Sequence, residues 1–318
     1  MPLLADLVKI PIKSIAPKSS WDLHPFLSSS PNEYQLSSVA AMGLVLPPMV
    51  VEKITEGGDT EYILLSTRQW VKAYQNTFPE ETTIAALVLS SKLKQEEVLQ
   101  YLLHYKLTTY NFSRMEKAYF FSHCLDCMLI NDVAKTFLPQ LNEKAQAHTI
   151  NKYVSLTKLE LPLQNSVHSE QLPMKVALEL LTLPVEDRIK LHTLFEQLEL
   201  GGGKQKRLLV LCKDLAGRQN INITTLLNEE CYTDILEHQE MNRPQKGASL
   251  LSCLYKQLFP ESNKAEEDFD KRIKRMELPP SCTTTHSPAF EKDEVILSIT
   301  FPTLTAMEEQ ITKIKKTF

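Results

Sequence analysis

Apolar and polar positions follow two different periods along this chain, and the change from one to the other divides it. Alternation over residues 8–15, the runs 48–53 (PMVVEK) and 62–65 (YILL) flanking the turn Glu56-Gly57-Gly58-Asp59, and the run 84–89 predict short strands. Between them, helical spacing predicts helices over 32–42, closed by Gly43, and over 67–74 and 95–106. Short strands interleaved with short helices predict a small mixed α/β domain over residues 1–110, and an α+β fold class for the whole.

From 111 to 240 the period is helical throughout, which predicts an all-helical middle domain. A helix is expected over 115–129, through Met115, Ala118, Tyr119, Ser122, Leu125 and Leu129. In the next helix Val133, Ala134, Phe137 and Leu138 share an apolar face before Pro139 and Asn142 interrupt it. A further helix is expected over 142–158. Ala147, Ile150 and Val154 would hold it on the bundle, while Lys144, His148, Asn151, Lys152 and Ser155 cluster opposite, with Ala145, Gln146, Thr149 and Tyr153 on the flanks. Amide, hydroxyl and cationic groups on one side of a braced helix are what contact with base edges and phosphates requires, so the pair reads as a helix-turn-helix. Helices over 185–198, 205–216 and 223–227 follow, with Gly201 to Gly203 ending the first of them.

Residues 241–318 are expected to form a small helical region with one strand. The stretch NRPQKG (242–247) has linker chemistry, 250–259 and 265–276 read as helices, and LPPSCTTTHSP (278–288) reads as a connection. EVILSITF (294–301) alternates as a strand, and Leu304, Met307, Ile311 and Ile314 repeat as a helical seam. A lone strand must pair its edges, either with the same strand of a second subunit or by packing on this chain's own helices.

Composition narrows the classes. The chain has 318 residues, 43% hydrophobic and 23% charged, with no apolar run of membrane length and no secretory leader at its start, so a cytoplasmic protein with no membrane partner is expected. Its six scattered cysteines fit reduced thiols. A net charge of −4 supplies no global attraction to nucleic acid, but Lys204, Lys206, Arg207, Lys213 and Arg218 stand against Asp214 alone. Lys271, Arg272, Lys274 and Arg275 form a second cluster, beside the acidic run Glu266, Glu267 and Asp268. Within 131–190 seven acidic residues balance seven basic ones, so DNA affinity would depend on a few placed contacts.

Enzyme and metal motifs fail on inspection. Cys124-x-x-Cys127 has no second knuckle to complete a zinc site, and one helical turn of separation suits core cysteines. Gly201-Gly202-Gly203-Lys204 lacks the first glycine, the following Ser/Thr and the preceding strand of a phosphate loop. No nucleophile elbow, His-Glu-x-x-His or paired-carboxylate pattern is evident.

The motif order resembles the ParB family. Its N-terminal domain, related to sulfiredoxin, is matched by the strand 10–15, SSVAAMGLVL (37–46), PMVV (48–51), ILLSTRQWVKAY (63–74) and the strand 84–88. NFSRMEKA (111–118) resembles the segment leading into the family's helix-turn-helix, and INKYVSLTKLELP (150–162) with QLPMKVALELLTL (171–183) resembles that domain itself. The likeness covers roughly the first 185 residues. It implies a DNA-binding protein of bacterial plasmid or chromosome partition, or of transcription regulation. Double-stranded DNA would be its partner, with a nucleoid-associated location, a homodimer formed through the C-terminus, and a possible protein partner.

The nucleotide motifs depart from the family. Its Gly-Glu-Arg-Arg box reads Ser66-Thr67-Arg68-Gln69 here, so only Arg68 matches. The family's Glu-Asn pair falls near Tyr105-Lys106, and its later arginine near Thr109. CTP hydrolysis is therefore not expected, while binding of CTP with magnesium through Ser66, Thr67 and Arg68 stays open. The expected DNA contacts are Lys144, His148, Asn151, Lys152 and Ser155, with Lys204, Lys206 and Arg207 on the DNA backbone. Two other readings stand beside DNA binding: a nucleotide switch or phosphotransfer enzyme on the same fold, and a protein-interaction adaptor.

Overall fold

The structure is a computed structural model that describes residues 5–16, 21–27, 30–55, 57–109, 112–287 and 294–314. Its contacts divide the chain into two compact units, Met1–Lys206 and Arg207–Phe318. The fold class is α+β.

The first unit begins with a four-stranded sheet of β1 (Ala5–Pro11), β2 (Met49–Ile54), β3 (Thr60–Leu64) and β4 (Thr83–Leu89), in the order β1-β4-β2-β3. β2 runs parallel to β4, and the other two pairings are antiparallel. The strand expected over 8–15 ends early, because Pro11 leads into a 3-10 turn (Ile12–Ser14) anchored by Ile12 N–H on the Thr82 carbonyl at 3.0 Å. Pro11 is tolerated because β1 lies at the sheet edge. Of the expected turn at 56–59, Glu56 lies outside the described residues, and Gly58 adopts φ +83° between β2 and β3. Ile10, Val50, Leu64, Ile84, Ala86 and Val88 bury one core with Val71 of α2 (Arg68–Thr77). Burial of such side chains stabilises each by about 1.5–3 kcal/mol.

α1 (Glu33–Met42) packs on α2. A capping box between Asn32 and Gln35 starts α1, and Gly43 at φ +67° ends it. α3 (Gln95–Thr109) then leads to α4 (Arg114–Leu125), whose start is fixed by Ser113 and Glu116. Asn111, which opens the family-like segment 111–118, lies outside the described residues. Next come α5 (Ile130–Phe137), α6 (Ala147–Ser155), α7 (Leu161–His168), α8 (Met174–Leu180), α9 (Val185–Gln197) and the first residues of α10 (Gly202–Gln219), whose remainder from Arg207 belongs to the second unit. The glycine run does more than end a helix. Gly202 and Gly203 form the first turn of α10, and Gly202 sits so close to Pro173 that an added Cβ would lie 2.6 Å from its Cγ.

The second unit carries α11 (Ile223–Leu226), α12 (Glu230–Glu237), α13 (Arg243–Leu258), α14 (Pro260–Arg275), β5 (Cys282–His286), β6 (Val295–Ile299) and α15 (Leu304–Ile314). Two expectations fail here. The linker at 242–247 is the start of α13, because Asn242 and Gln245 close a capping box and Pro244 fits the first turn. The connection at 278–288 contains β5, which pairs antiparallel with β6 from Cys282↔Ile299 to His286↔Val295. Among the described residues the region therefore has two strands rather than one, and β6 pairs along one edge with β5 of its own chain. Among the described residues no helix is long and apolar enough to cross a membrane.

Candidate nucleic-acid interface and an adjoining charged cleft

α6 is shorter than the helix expected over 142–158. Asn142 takes a left-handed conformation (φ +58°) that ends the 3-10 turn Pro139–Leu141, and regular α-helix resumes only at Ala147. A second 3-10 turn, Leu156–Lys158, closes the element. Lys144 is therefore an exposed loop residue and not part of the helix. Nine residues, 138–146, separate α5 from α6, a longer connection than the three or four residues, roughly, of a tight helix-turn-helix.

The packing of α6 explains its stability. Ile150, Tyr153 and Leu156 are buried, and the helix rests on α4 and α5. Tyr153, expected on a flank, is an anchor: its hydroxyl donates to the Glu143 carboxylate, which also receives the Lys117 ammonium from α4. The ring of Phe121 lies 5.5 Å from that of Tyr153. Burial, followed by the bond to Glu143, pushes the Tyr153 phenol well above its usual range, so it remains a donor. This clamp fixes both the loop before α6 and the rotation of the helix.

With that rotation, His148, Asn151 and Lys152 are exposed and Ser155 is half-buried. Their spacing of three, four and seven residues places them in one stripe. Ser155 Oγ donates to the Asn151 carbonyl at 2.7 Å, so the hydroxyl can still act as an acceptor. An α-helix with its side chains is about 10–12 Å across, which matches the width of a DNA major groove, about 12 Å. Lys204, Lys206 and Arg207 are exposed on α10, a different helix, and Arg207 stacks over Tyr255 at 5.7 Å.

Ser66, Thr67 and Arg68 stand together at the start of α2, but the protein already engages their polar groups. Ser66 Oγ accepts from Met49 N–H at 3.3 Å, and Thr67 Oγ1 donates to the Ser66 carbonyl at 2.7 Å. Thr67 itself is held at φ +64°. Arg68 pairs with Asp22 at 2.6 Å and reaches the His24 carbonyl at 3.4 Å. An aspartate on that guanidinium opposes a phosphate there, although Arg68 Nε is buried with no hydrogen-bond partner.

Arg68 also borders a cleft of about 350 Å³ shared with Asp22, His24, Gln35, Ser113, Glu116 and His168. Glu116 is the hub of this cleft. One carboxylate oxygen receives His24 Nε2 at 2.7 Å and Lys106 Nζ at 2.8 Å, and the other receives Ser113 N–H at 2.7 Å. Burial alone would raise its pKa, but the His24 bond and the Lys106 charge hold it far below the usual carboxylate range. Ser113 Oγ accepts from Glu116 N–H at 3.1 Å and lies 2.8 Å from His168 Nδ1, so its hydrogen can serve a neutral imidazole. Burial lowers the His168 pKa accordingly.

Sequence reasoning missed this hub. Its one legible signal was Ser113-x-x-Glu116, a capping-box spacing. Lys106, where the family's Glu-Asn pair would fall, is instead a buried internal cation. Among the described residues no three of His, Cys, Asp and Glu come together as a metal site. Cys124 is buried and Cys127 half-buried on and beside α4.

The first unit thus carries a four-stranded sheet with flanking helices and then a run of helices, among them α6 with its anchored apolar side and its exposed polar side. No protein-family model and no curated protein matches the chain. Solved structures do: the C-terminally truncated chromosome-partitioning protein ParB from Caulobacter crescentus complexed to the centromeric parS site matches at 14% identity and a TM-score of 0.29, over 64% of this chain and 97% of that one. The same truncated ParB complexed with CTP-gamma-S matches at 14% identity and a TM-score of 0.23, over 58% and 98%. Both belong to the family that the motif order resembles. Overlap at these scores adds nothing to the functional reading, which stands on the motifs and on the geometry of α6.

Proposed function

We propose that this chain is a ParB-like DNA-binding protein that reads double-stranded DNA with α6. His148, Asn151, Lys152 and Ser155 would face the groove, and Lys144 a flanking phosphate. The observation that carries the reading is the exposed stripe on a helix whose opposite side is locked by Ile150, Tyr153 and Leu156. An Asn side chain can pair bidentately with adenine, and lysines neutralise phosphates. Lys204, Lys206 and Arg207 would add backbone contacts from α10. A homodimer would supply a second reading helix for a second half-site, which the balanced charge of the region calls for.

Catalysis forms no part of this reading. Ser66, Thr67 and Arg68 are engaged internally, and the aspartate on Arg68 disfavours a triphosphate; a thermal shift with CTP or ATP plus magnesium would reverse this view. The reading of α6 is tested by a salt titration of DNA binding with Lys144→Ala and Lys152→Ala. Each substitution is expected to weaken binding and to flatten the slope of log K against log salt by about one. An unchanged slope in the double variant would overturn the assignment of α6.

A further inference from the structure

Two cysteines of the second unit stand on neighbouring helices. Cys231 lies at the start of α12 and Cys253 in the middle of α13, and these helices pack together. Gln257, one turn beyond Cys253 on the same face of α13, donates from Nε2 to Cys231 Sγ at 3.4 Å. Its Oε1 accepts from the Tyr232 hydroxyl at 2.6 Å, so the amide is held from both sides. Gln257 thus ties the Cys231 sulfur to the turn of α13 next to the one that carries Cys253, and burial together with the nearby Cys231 raises the Cys253 pKa. Cys231 is exposed and Cys253 half-buried, whereas Cys212 is buried.

We propose that Cys231 and Cys253 form a reversible disulfide on exposure to a hydroperoxide, tying α12 to α13. Cys231, the accessible thiol, attacks as thiolate the distal oxygen of the peroxide. The O–O bond breaks, and a sulfenic acid and one water (or alcohol) result. Cys253 sulfur then attacks the sulfenic sulfur. The S–S bond forms, and the sulfenic hydroxyl leaves as a second water with the Cys253 proton. In sum, two thiols and one hydrogen peroxide give one disulfide and two waters. A dithiol reductant reverses the reaction by two exchange steps. Cys253 suits the second role because burial and the neighbouring Cys231 raise its pKa, which keeps it a thiol until the sulfenic acid has formed.

The test treats the full chain with hydrogen peroxide, alkylates the remaining thiols and maps the peptides by mass spectrometry. A Cys231–Cys253 linked peptide, with two fewer alkylatable thiols that dithiothreitol restores, is the expected result. In Cys253→Ser the link is lost and Cys231 is trapped by dimedone as a sulfenic acid. Three results in the wild-type chain would each overturn the proposal: both cysteines still alkylatable, Cys231 carried to sulfinic acid beside an intact Cys253, or a Cys231–Cys231 link between two molecules. The wild-type map decides the matter even if a variant fails to fold.

Discussion

Lys106 and Glu116 form a buried ion pair, Nζ to Oε1 at 2.8 Å, with 2% and 4% of their side chains exposed. It joins α3, which follows the sheet, to α4, which opens the helical region. Removing one partner of such a pair costs about 3–5 kcal/mol, while replacing both with apolar residues is often near neutral. Glu116→Ala is therefore expected to destabilise the chain by about 3–5 kcal/mol. Lys106→Met combined with Glu116→Leu should recover part of that loss in urea denaturation. Simple addition of the two single-mutant losses would contradict the coupling.

Acid should weaken the fold in two stages. His168 and His192 have folded pKa values below the ordinary 6.5, chiefly through burial, so the unfolded chain binds more protons than the folded one just below pH 6.5. Their neutral forms fit the fold above 6.5, and stability is lost as pH falls through their folded values. Glu116 acts in the same direction but lower: its contribution is present above 4.5 and is lost as pH falls toward its depressed folded value. Melting temperatures measured between pH 7.5 and 5 should fall with pH, and the fall should be shallower in His168→Gln. A flat profile in the wild-type chain would contradict the burial of neutral histidines.

The adjacent glycines of α10 should respond oppositely to alanine. A Cβ on Gly202 meets Pro173 Cγ at 2.6 Å, whereas one on Gly203 meets nothing within 4 Å. Gly202→Ala is expected to destabilise by about 1–3 kcal/mol through overpacking. Gly203→Ala should stabilise by about 0.4–1 kcal/mol, by restricting the unfolded chain. Thermal denaturation of the two variants separates these signs.

Element by element, the sequence was legible where period and cap agree. Helical spacing over 32–42 and the closing Gly43 marked α1 to within a residue, and the spacing of His148, Asn151 and Lys152 survives as an exposed stripe that ends at the half-buried Ser155. Asn242 with Gln245 is the same capping device as starts α1, yet NRPQKG read as a linker because Pro and Gly outweighed it; a proline in the first turn costs a helix nothing. β5 was missed because a threonine-rich stretch between prolines has the composition of a loop, and only its pairing with β6 makes it a strand. Tyr153 and Glu143 join across a turn, as Lys106 and Glu116 join across a helix break. Such contacts carry no periodic signal, so the anchors of the site stayed invisible while its surface did not.

The central claim is that α6 reads a DNA sequence. Its most direct test is selection of genomic fragments from the source organism on the purified chain, repeated with His148, Asn151 and Lys152 changed to alanine. These residues are exposed, so the fold should survive the substitutions. The expected result is enrichment of a common site by the wild-type chain and its loss in the variant, with melting temperature unchanged. No enriched fragment, or the same fragment enriched by both proteins, would contradict it.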